Sequence, residues 1–230
     1  MTLRPKKLAL TLTVIVMCLT LAHVAVQCLR FLGGYEYQLG FLHLFDLENE
    51  GNLPSWYAST TLLLCALFLL YIGRSKRLAG DRYAVHWLGL AAIFFCLSVD
   101  EAAAIHELLS GDRLVHVLNL RPWPWAGWVL LGGLFVLLVG LTYFRFLLHL
   151  PAKTRALFLV AGTLYVGGAL GMDTFASEYS YRDGADLLYK LAMVAPEEFM
   201  EMMGIVSFLY ALSSYMAAEA IEVRVVVDDG

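Results

Sequence analysis

Six long apolar segments constrain this chain more than any other feature of its sequence. They cover residues 8–32, 55–73, 84–107, 126–149, 155–173 and 194–218. Each is close to the ~20 residues that an α-helix needs to cross ~30 Å of hydrocarbon. Only 16% of the chain is charged, against about 25% in a typical soluble domain. We therefore predict an all-α polytopic membrane bundle of about six transmembrane helices, which forms a single domain over residues 1–230.

The distribution of Lys and Arg predicts the orientation of this bundle. If the N-terminus is cytoplasmic, eleven of these residues fall on the cytoplasmic side and five on the other side. Cytoplasmic loops carry an excess of Lys and Arg, so we predict that both termini are cytoplasmic. The first apolar run is longer than the 7–15 residues of a signal-peptide core, which indicates a retained helix. The net charge of −4 offers no basic patch for nucleic acid, so the expected partner is the lipid bilayer.

Acidic residues lie at the outer ends of three predicted helices. We counted about 20 residues from the inner end of each segment to find its outer boundary. The residues near one outer depth are Asp100, Glu101, His106, Glu107, Asp173, Glu197, Glu198 and Glu201. A carboxylate inside the membrane is costly, and ionised neighbours repel one another. We therefore expect these acids to share protons or a cation.

The helical angles sort these residues by face. At about 100° per residue, the three glutamates of the sixth helix share one side. That side also carries Gly204, which would allow a neighbouring helix to come close. In the third helix, Asp100 and Glu107 are seven residues apart and nearly eclipsed, whereas Glu101 points away. The spacing Gly167-x3-Gly171 in the fifth helix is typical of close packing against a neighbouring helix.

These residue types predict a metal site. Carboxylate oxygens suit hard cations such as calcium, and carboxylate with imidazole suits iron or zinc. The predicted divalent-metal ligands are Asp100, His106, Glu107, Glu198 and Glu201, with Asp173 or Glu178 nearby. The Glu-x-x-His spacing of bundle di-iron sites is absent, because Ala103 occupies the position three before His106. In this hypothesis the metal serves redox or hydrolytic chemistry on a lipid-like substrate.

Two other functions remain open, and the sequence identifies no reaction that would make the chain an enzyme. The same acids suit an ion- or proton-coupled small transporter, although the inner halves of the third and sixth helices carry no charge along which an ion would pass. The chain would alternatively be an accessory or scaffold subunit, with a membrane protein or a second copy of itself as its partner. Its acids would then simply face the outer solution.

The loop before the second helix is acidic as well. Asp46-Leu-Glu48-Asn-Glu50-Gly51 resembles the first half of an EF-hand loop, but Tyr57 stands where the twelfth-position glutamate would be. A partial calcium site, or a turn that caps the helix beginning at Pro54-Ser55-Trp56, agrees better with the sequence. The loop lies on the outer side, where it would cover the acids. His23 stands in an apolar helix, which favours a satisfied core histidine over a ligand.

Two motifs carry a resemblance to other proteins. These are Ser98-x-Asp100-Glu101-x4-His106-Glu107 and Glu197-Glu198-x2-Glu201-Met202. Together with the segment from Asp46 to Trp56, they resemble a group of bacterial multi-pass membrane proteins of unknown function. The resemblance implies a bacterial inner membrane as the location, and it implies no activity.

Overall fold

The computed structural model is an assembly of helices. It describes residues 4–34, 42–105, 126–184 and 186–221, with side chains left out at 126–128 and 181–183, and it contains no strand in these ranges. The α-helices are α1 (Pro5–Gly33), α2 (Leu53–Leu78), α3 (Ala84–Ala103), α4 (Ala126–His149), α5 (Ala152–Val166), α6 (Asp173–Asp183), α7 (Leu187–Tyr189) and α8 (Ala195–Ala218). A 3-10 helix spans Leu42–Phe45, and π-helical turns span Gly167–Met172 and Lys190–Val194.

Six of the helical stretches are long and apolar enough to cross a membrane, as predicted. They are Pro5–Gly33, Leu53–Leu78, Ala84–Ala103, Val129–His149, Ala152–Ser180 and Leu187–Ala218. The last two stretches are longer than their apolar segments, because a π turn joins each to a further helix. The polar α6 follows α5, and the short α7 precedes α8. The chain is an integral, multi-pass membrane protein. We call the end with the 3-10 helix the outer end, following the predicted orientation.

Local sequence signals set the ends of several helices. Asn52 caps α2: its side chain accepts from the Ser55 backbone N–H, and the Ser55 hydroxyl lies 3.1 Å from the Asn52 backbone nitrogen, which donates to it. Such a reciprocal cap satisfies two backbone donors at the start of a helix. The capped-turn interpretation of this loop is therefore confirmed. Gly34 ends α1 in the left-handed conformation that favours glycine.

Helix α8 is the centre of the bundle. It packs against α1, α2 and α5, and most of its membrane-spanning stretch is buried. Gly204 permits the contact with α5: a Cβ at this position would lie 2.7 Å from the backbone nitrogen of Tyr165. This result confirms the predicted role of Gly204. Helix α4 lies at the periphery, and most of its surface faces outward, as expected of a helix surrounded by lipid.

Aromatic and aliphatic side chains fill the inner half of the bundle. Trp87 of α3 contacts Tyr215 of α8 and Phe146 of α4, each with ring centroids 5.0 Å apart. Phe94 stacks on Phe208 at 4.5 Å. Buried charged and polar groups concentrate instead toward the outer end.

Candidate functional site

The first two turns of α8 carry three glutamates at the outer end of the bundle. Glu197, Glu198 and Glu201 are half-buried, and they follow the π turn Lys190–Val194. Val194 already has helical φ and ψ, so the π turn continues into α8 without a break. The three glutamates therefore lie inside one continuous helical stretch, Leu187–Ala218.

Other helices bring more carboxyl groups to Glu201. The groups that interact with it electrostatically include Glu197, Glu198, Glu101 of α3 and Asp173 at the start of α6. Glu101 also interacts with Glu198, as does Glu50 from the loop before α2. We call Glu101, Asp173, Glu197, Glu198 and Glu201 the carboxylate cluster. Three helices therefore contribute acids to one place, as the shared depth predicted.

The acid that α3 contributes to the cluster differs from the prediction. Glu101, which the helical angles set apart, interacts with both Glu198 and Glu201. The angles assumed a helix that continues to residue 107, but α3 ends at Ala103, and Ala104 has a left-handed φ of 52°. The regular helical spacing between Asp100 and Glu107 is therefore interrupted at Ala104.

The remaining predicted ligands are placed as follows. His106 and Glu107 lie outside the described residues. Asp100 is half-buried and interacts electrostatically with Tyr165 of α5, as do Glu101, Glu198 and Glu201. Glu178 is half-buried on α6.

Ser98, the first residue of the α3 motif, has a structural role. Its hydroxyl donates to the carbonyl of Ser59 at 2.9 Å, and the Ser59 hydroxyl donates to the carbonyl of Ser98 at 2.8 Å. This reciprocal pair joins α2 to α3 one turn before Glu101. It holds the end of α3 against the bundle, and so it helps to position the acid that follows.

Gly168 provides the close contact between the cluster and the neighbouring π turn. A Cβ at this position would lie 2.7 Å from Cγ of Glu201 and 2.8 Å from the carbonyl oxygen of Glu197. A Cβ at Gly171 would meet nothing within 4 Å. The predicted Gly167-x3-Gly171 spacing thus identifies the correct segment, but the glycine that permits the close approach is Gly168. Isolated π turns are rare and are frequent at functional sites.

A second group of polar residues lies beside the cluster, and it was not predicted from the sequence. We call it the ionic network, and its members are His23, Gln27, Arg30, Asp46, Glu48, Tyr189 and Lys190. Asp46 is fully buried, and one of its oxygens lies 3.7 Å from the Lys190 ammonium group. Arg30 lies 4.0 Å from its other oxygen. Lys190 also forms an ion pair with Glu48, which accepts a hydrogen bond from the Tyr189 hydroxyl at 3.0 Å.

His23 joins three segments in this network. Its Nδ1 accepts from the Leu47 backbone N–H at 3.0 Å, and its Nε2 lies 3.3 Å from the carbonyl oxygen of Lys190. A neutral imidazole with its proton on Nε2 satisfies both bonds. His23 is therefore a satisfied core histidine, as predicted, and it connects α1, the loop and the π turn.

A polar stripe on α1 was the sequence signal for this network. His23, Gln27 and Arg30 are four and three residues apart, so they share one face of the helix. The two ends of the stripe both approach Asp46. Gln27, between them, is fully buried, and its amide has no hydrogen-bond partner among the described residues. Three polar residues at helical spacing within a membrane helix indicate an inward-facing polar site.

The acidic loop contacts both groups of residues. Asp46 and Glu48 pair with Lys190, whereas Glu50 interacts with Glu198 of the cluster. The loop therefore lies over the outer end, as predicted. A calcium ion at Asp46 would have to displace the ammonium group of Lys190, so the calcium interpretation gains no support here.

The cluster lacks a ready-made metal-ligand set in the part of the chain that the structure describes. No three His, Cys, Asp or Glu side chains converge there with the spacing that would hold a metal ion. The carboxyl groups of the cluster are near enough to interact electrostatically. Such an arrangement favours protonation, or a cation whose binding draws the side chains together.

Comparison with known proteins yields one family match. A protein-family model described as a domain of unknown function (DUF8692) matches residues 8–215. No match was found among curated proteins or among solved structures. The matched region includes both the carboxylate cluster and the ionic network.

Proposed function

The chain belongs to the DUF8692 family, and from its geometry we propose that it binds a cation at the carboxylate cluster, with a divalent metal as the leading candidate. One observation carries the proposal: carboxyl groups from α3, α6 and α8 interact around Glu201 within the membrane-spanning part of the bundle. Several ionised carboxylates would repel one another there, and a bound cation would remove that repulsion.

The donor chemistry narrows the choice of metal. The five members of the cluster all offer carboxylate oxygens, which calcium and magnesium prefer. Iron and zinc commonly add imidazole nitrogen, and the predicted imidazole ligand, His106, lies outside the described residues. The cluster as described therefore supports a hard divalent cation such as calcium more strongly than iron or zinc.

Metal titration of the purified protein tests this proposal. We expect calcium, manganese or another divalent metal to bind detergent-purified wild-type protein with one-to-one stoichiometry in calorimetry. Replacement of Glu201 by Gln should weaken binding about tenfold or more, because a charged ligand is lost. The matched control is Glu219→Gln, at the opposite end of α8, which should bind as wild type does. Absence of stoichiometric metal in the wild type, or equal binding by all three proteins, would reject a metal site.

A proton-binding cluster is the second candidate, and the spacing of the acids favours it. The described residues hold no converged set of three ligands, and a proton shared between two carboxyl groups requires only two of them to approach. In this case infrared spectroscopy should show a protonated carboxyl band near neutral pH. That band should disappear in Glu201→Gln and persist in Glu219→Gln.

The other sequence hypotheses stay predictions. Redox or hydrolytic chemistry on a lipid-like substrate would require the substrate to reach the outer end from the bilayer. An ion- or proton-coupled transporter would require a polar route through the inner half, where Trp87, Phe146 and Phe208 are packed among apolar neighbours. An accessory subunit would tolerate Glu201→Gln without loss of its partner.

A further inference from the structure

An open groove lies at the inner end of the bundle, far from the carboxylate cluster. Its volume is about 480 Å³. Helices α1 and α5 both pack against α8, and the groove is lined by residues from the inner ends of all three helices. The α8 residues that line it are Tyr210, Ser214 and Ala217, which are four and three residues apart and so share one face.

Positive charge is concentrated in this groove. Its basic residues are Arg4, Lys6, Lys7 and Lys153. None of the four forms an ion pair with any other residue that the structure describes. Elsewhere at the same end, Lys76 pairs with Glu219 at 2.7 Å. The groove therefore carries four positive charges without acidic partners in the described ranges.

Other features of the groove also suit an anion. Tyr210 and Ser214 bring hydroxyl groups that can donate to an oxyanion. Helices α1 and α5 both begin beside the groove, and neither start has a side-chain cap. Their first backbone N–H groups add partial positive charge.

The surface that continues from the groove is apolar. On α1, Leu10 and Val14 are 66% and 53% exposed, and on α5, Leu159 and Val160 are 53% and 52% exposed. These side chains lie between the basic residues and the middle of the membrane. A ligand that fits both regions has an anionic head and hydrocarbon chains.

We propose that this groove binds an anionic phospholipid, with the phosphodiester head group among the four basic residues and the acyl chains along α1 and α5. Basic pockets between transmembrane helices on the cytoplasmic side are suited to anionic head groups. The site is independent of the cation proposal, because it shares no residue with the carboxylate cluster.

Native mass spectrometry of the full chain with added phosphatidylglycerol or phosphatidylcholine tests the site. We expect wild-type protein to retain phosphatidylglycerol selectively. The triple variant Lys6→Gln/Lys7→Gln/Lys153→Gln should bind it about 100-fold more weakly. Each basic residue near the membrane surface raises the affinity for anionic lipid about fivefold, and three such residues are lost. The control Arg74→Gln/Arg77→Gln/Arg145→Gln makes the same charge change at the same end, outside the groove, and should retain wild-type binding.

Several outcomes would overturn the proposal. Equal weakening in both triple variants would show that only the net charge matters. Equal retention of phosphatidylcholine and phosphatidylglycerol would remove the role of the anionic head group. Displacement of the lipid by inorganic phosphate would indicate a free-phosphate site instead. If the triple variant fails to fold, the single variant Lys153→Gln should still show about fivefold weaker binding, and wild-type binding by that variant would contradict the site.

Discussion

Gly168 lies where two backbones and the Glu201 side chain meet, and the absence of a side chain at this residue is what permits the contact. An added Cβ would approach the Glu197 carbonyl oxygen to 2.8 Å. A backbone atom cannot move aside as the end of a flexible side chain can. At the scale of single residues, this glycine therefore controls the distance between the π turn and the carboxylate cluster.

We expect Gly168→Ala to reduce the stability of the protein. The clash should cost about 1–3 kcal/mol, as extra atoms in a packed site typically do, and the melting temperature in detergent should fall by several degrees. Gly171→Ala is the matched control, since its Cβ would enter open space, and it should melt close to wild type. Intrinsic tryptophan fluorescence during heating measures both. Equal melting of the two variants would contradict the close approach.

The loop before α2 is held to the bundle by the ionic network. Lys190 bridges two of its three carboxylates, His23 accepts from its backbone, and Leu47 is buried in the apolar core of the outer end. At the scale of elements, the network joins this loop, α1 and the helical stretch that carries Glu197, Glu198 and Glu201. The position of the loop over the cluster depends on a residue some 140 positions away in the sequence.

Lys190→Met should be strongly destabilising. The variant leaves the buried Asp46 carboxylate without its lysine partner, and the loss of one member of a buried ion pair typically costs about 3–5 kcal/mol. We expect a large fall in melting temperature and faster proteolysis within residues 42–52. Lys76→Met removes the more exposed Lys76–Glu219 pair and should cost no more than about 1 kcal/mol.

The double variant Lys190→Met/Asp46→Asn removes both charges and separates charge pairing from packing. It should recover much of the lost stability, because the buried Asp46 charge that Lys190 compensated is removed together with the lysine. If Lys190→Met alone is as stable as the wild type, the ion pair does not hold the loop.

At the scale of the whole molecule, the six spans among the described residues predict that both termini lie on one side of the membrane. The orientation itself was predicted from the distribution of Lys and Arg. It decides whether the carboxylate cluster faces the outer solution and whether the basic groove faces the cytoplasm. Both proposals about ligands depend on this orientation for their biological setting.

Cysteine labelling at the two ends of α2 tests the orientation. Leu53 and Leu78 are the first and last residues of this helix, and both are exposed. In a chain whose four native cysteines are replaced by alanine, a membrane-impermeant maleimide should label Leu53→Cys in intact bacterial cells. It should label Leu78→Cys only after the cells are permeabilised. The reverse pattern would invert the topology, and labelling of both in intact cells would show that α2 does not cross.

The amino-acid sequence by itself determined the six membrane-spanning helices and the common depth of the acids. The length and hydropathy of a span depend on consecutive residues alone. The known thickness of the bilayer is therefore enough to predict which segments cross it. The helix cap at Asn52 was also predictable, because it depends on residues close together in the chain. The close approach at Gly204 was predictable because a glycine leaves room for whichever helix lies beside it.

Only the tertiary structure decided which acids meet and what holds them. The packing of α3 in the bundle brings Glu101 to Glu201, and the end of α3 at Ala103 interrupts the helical spacing between Asp100 and Glu107. The π turn before Asp173 contains one more residue than a regular turn and so shifts the helical phase. The ionic network joins α1, the loop and Lys190, which are distant in the chain, so no local periodicity predicts their pairing. The depth of a residue in the membrane follows from counting residues along one helix. The rotation of that helix, and the pairs that its side chains form, depend on how all the helices pack together.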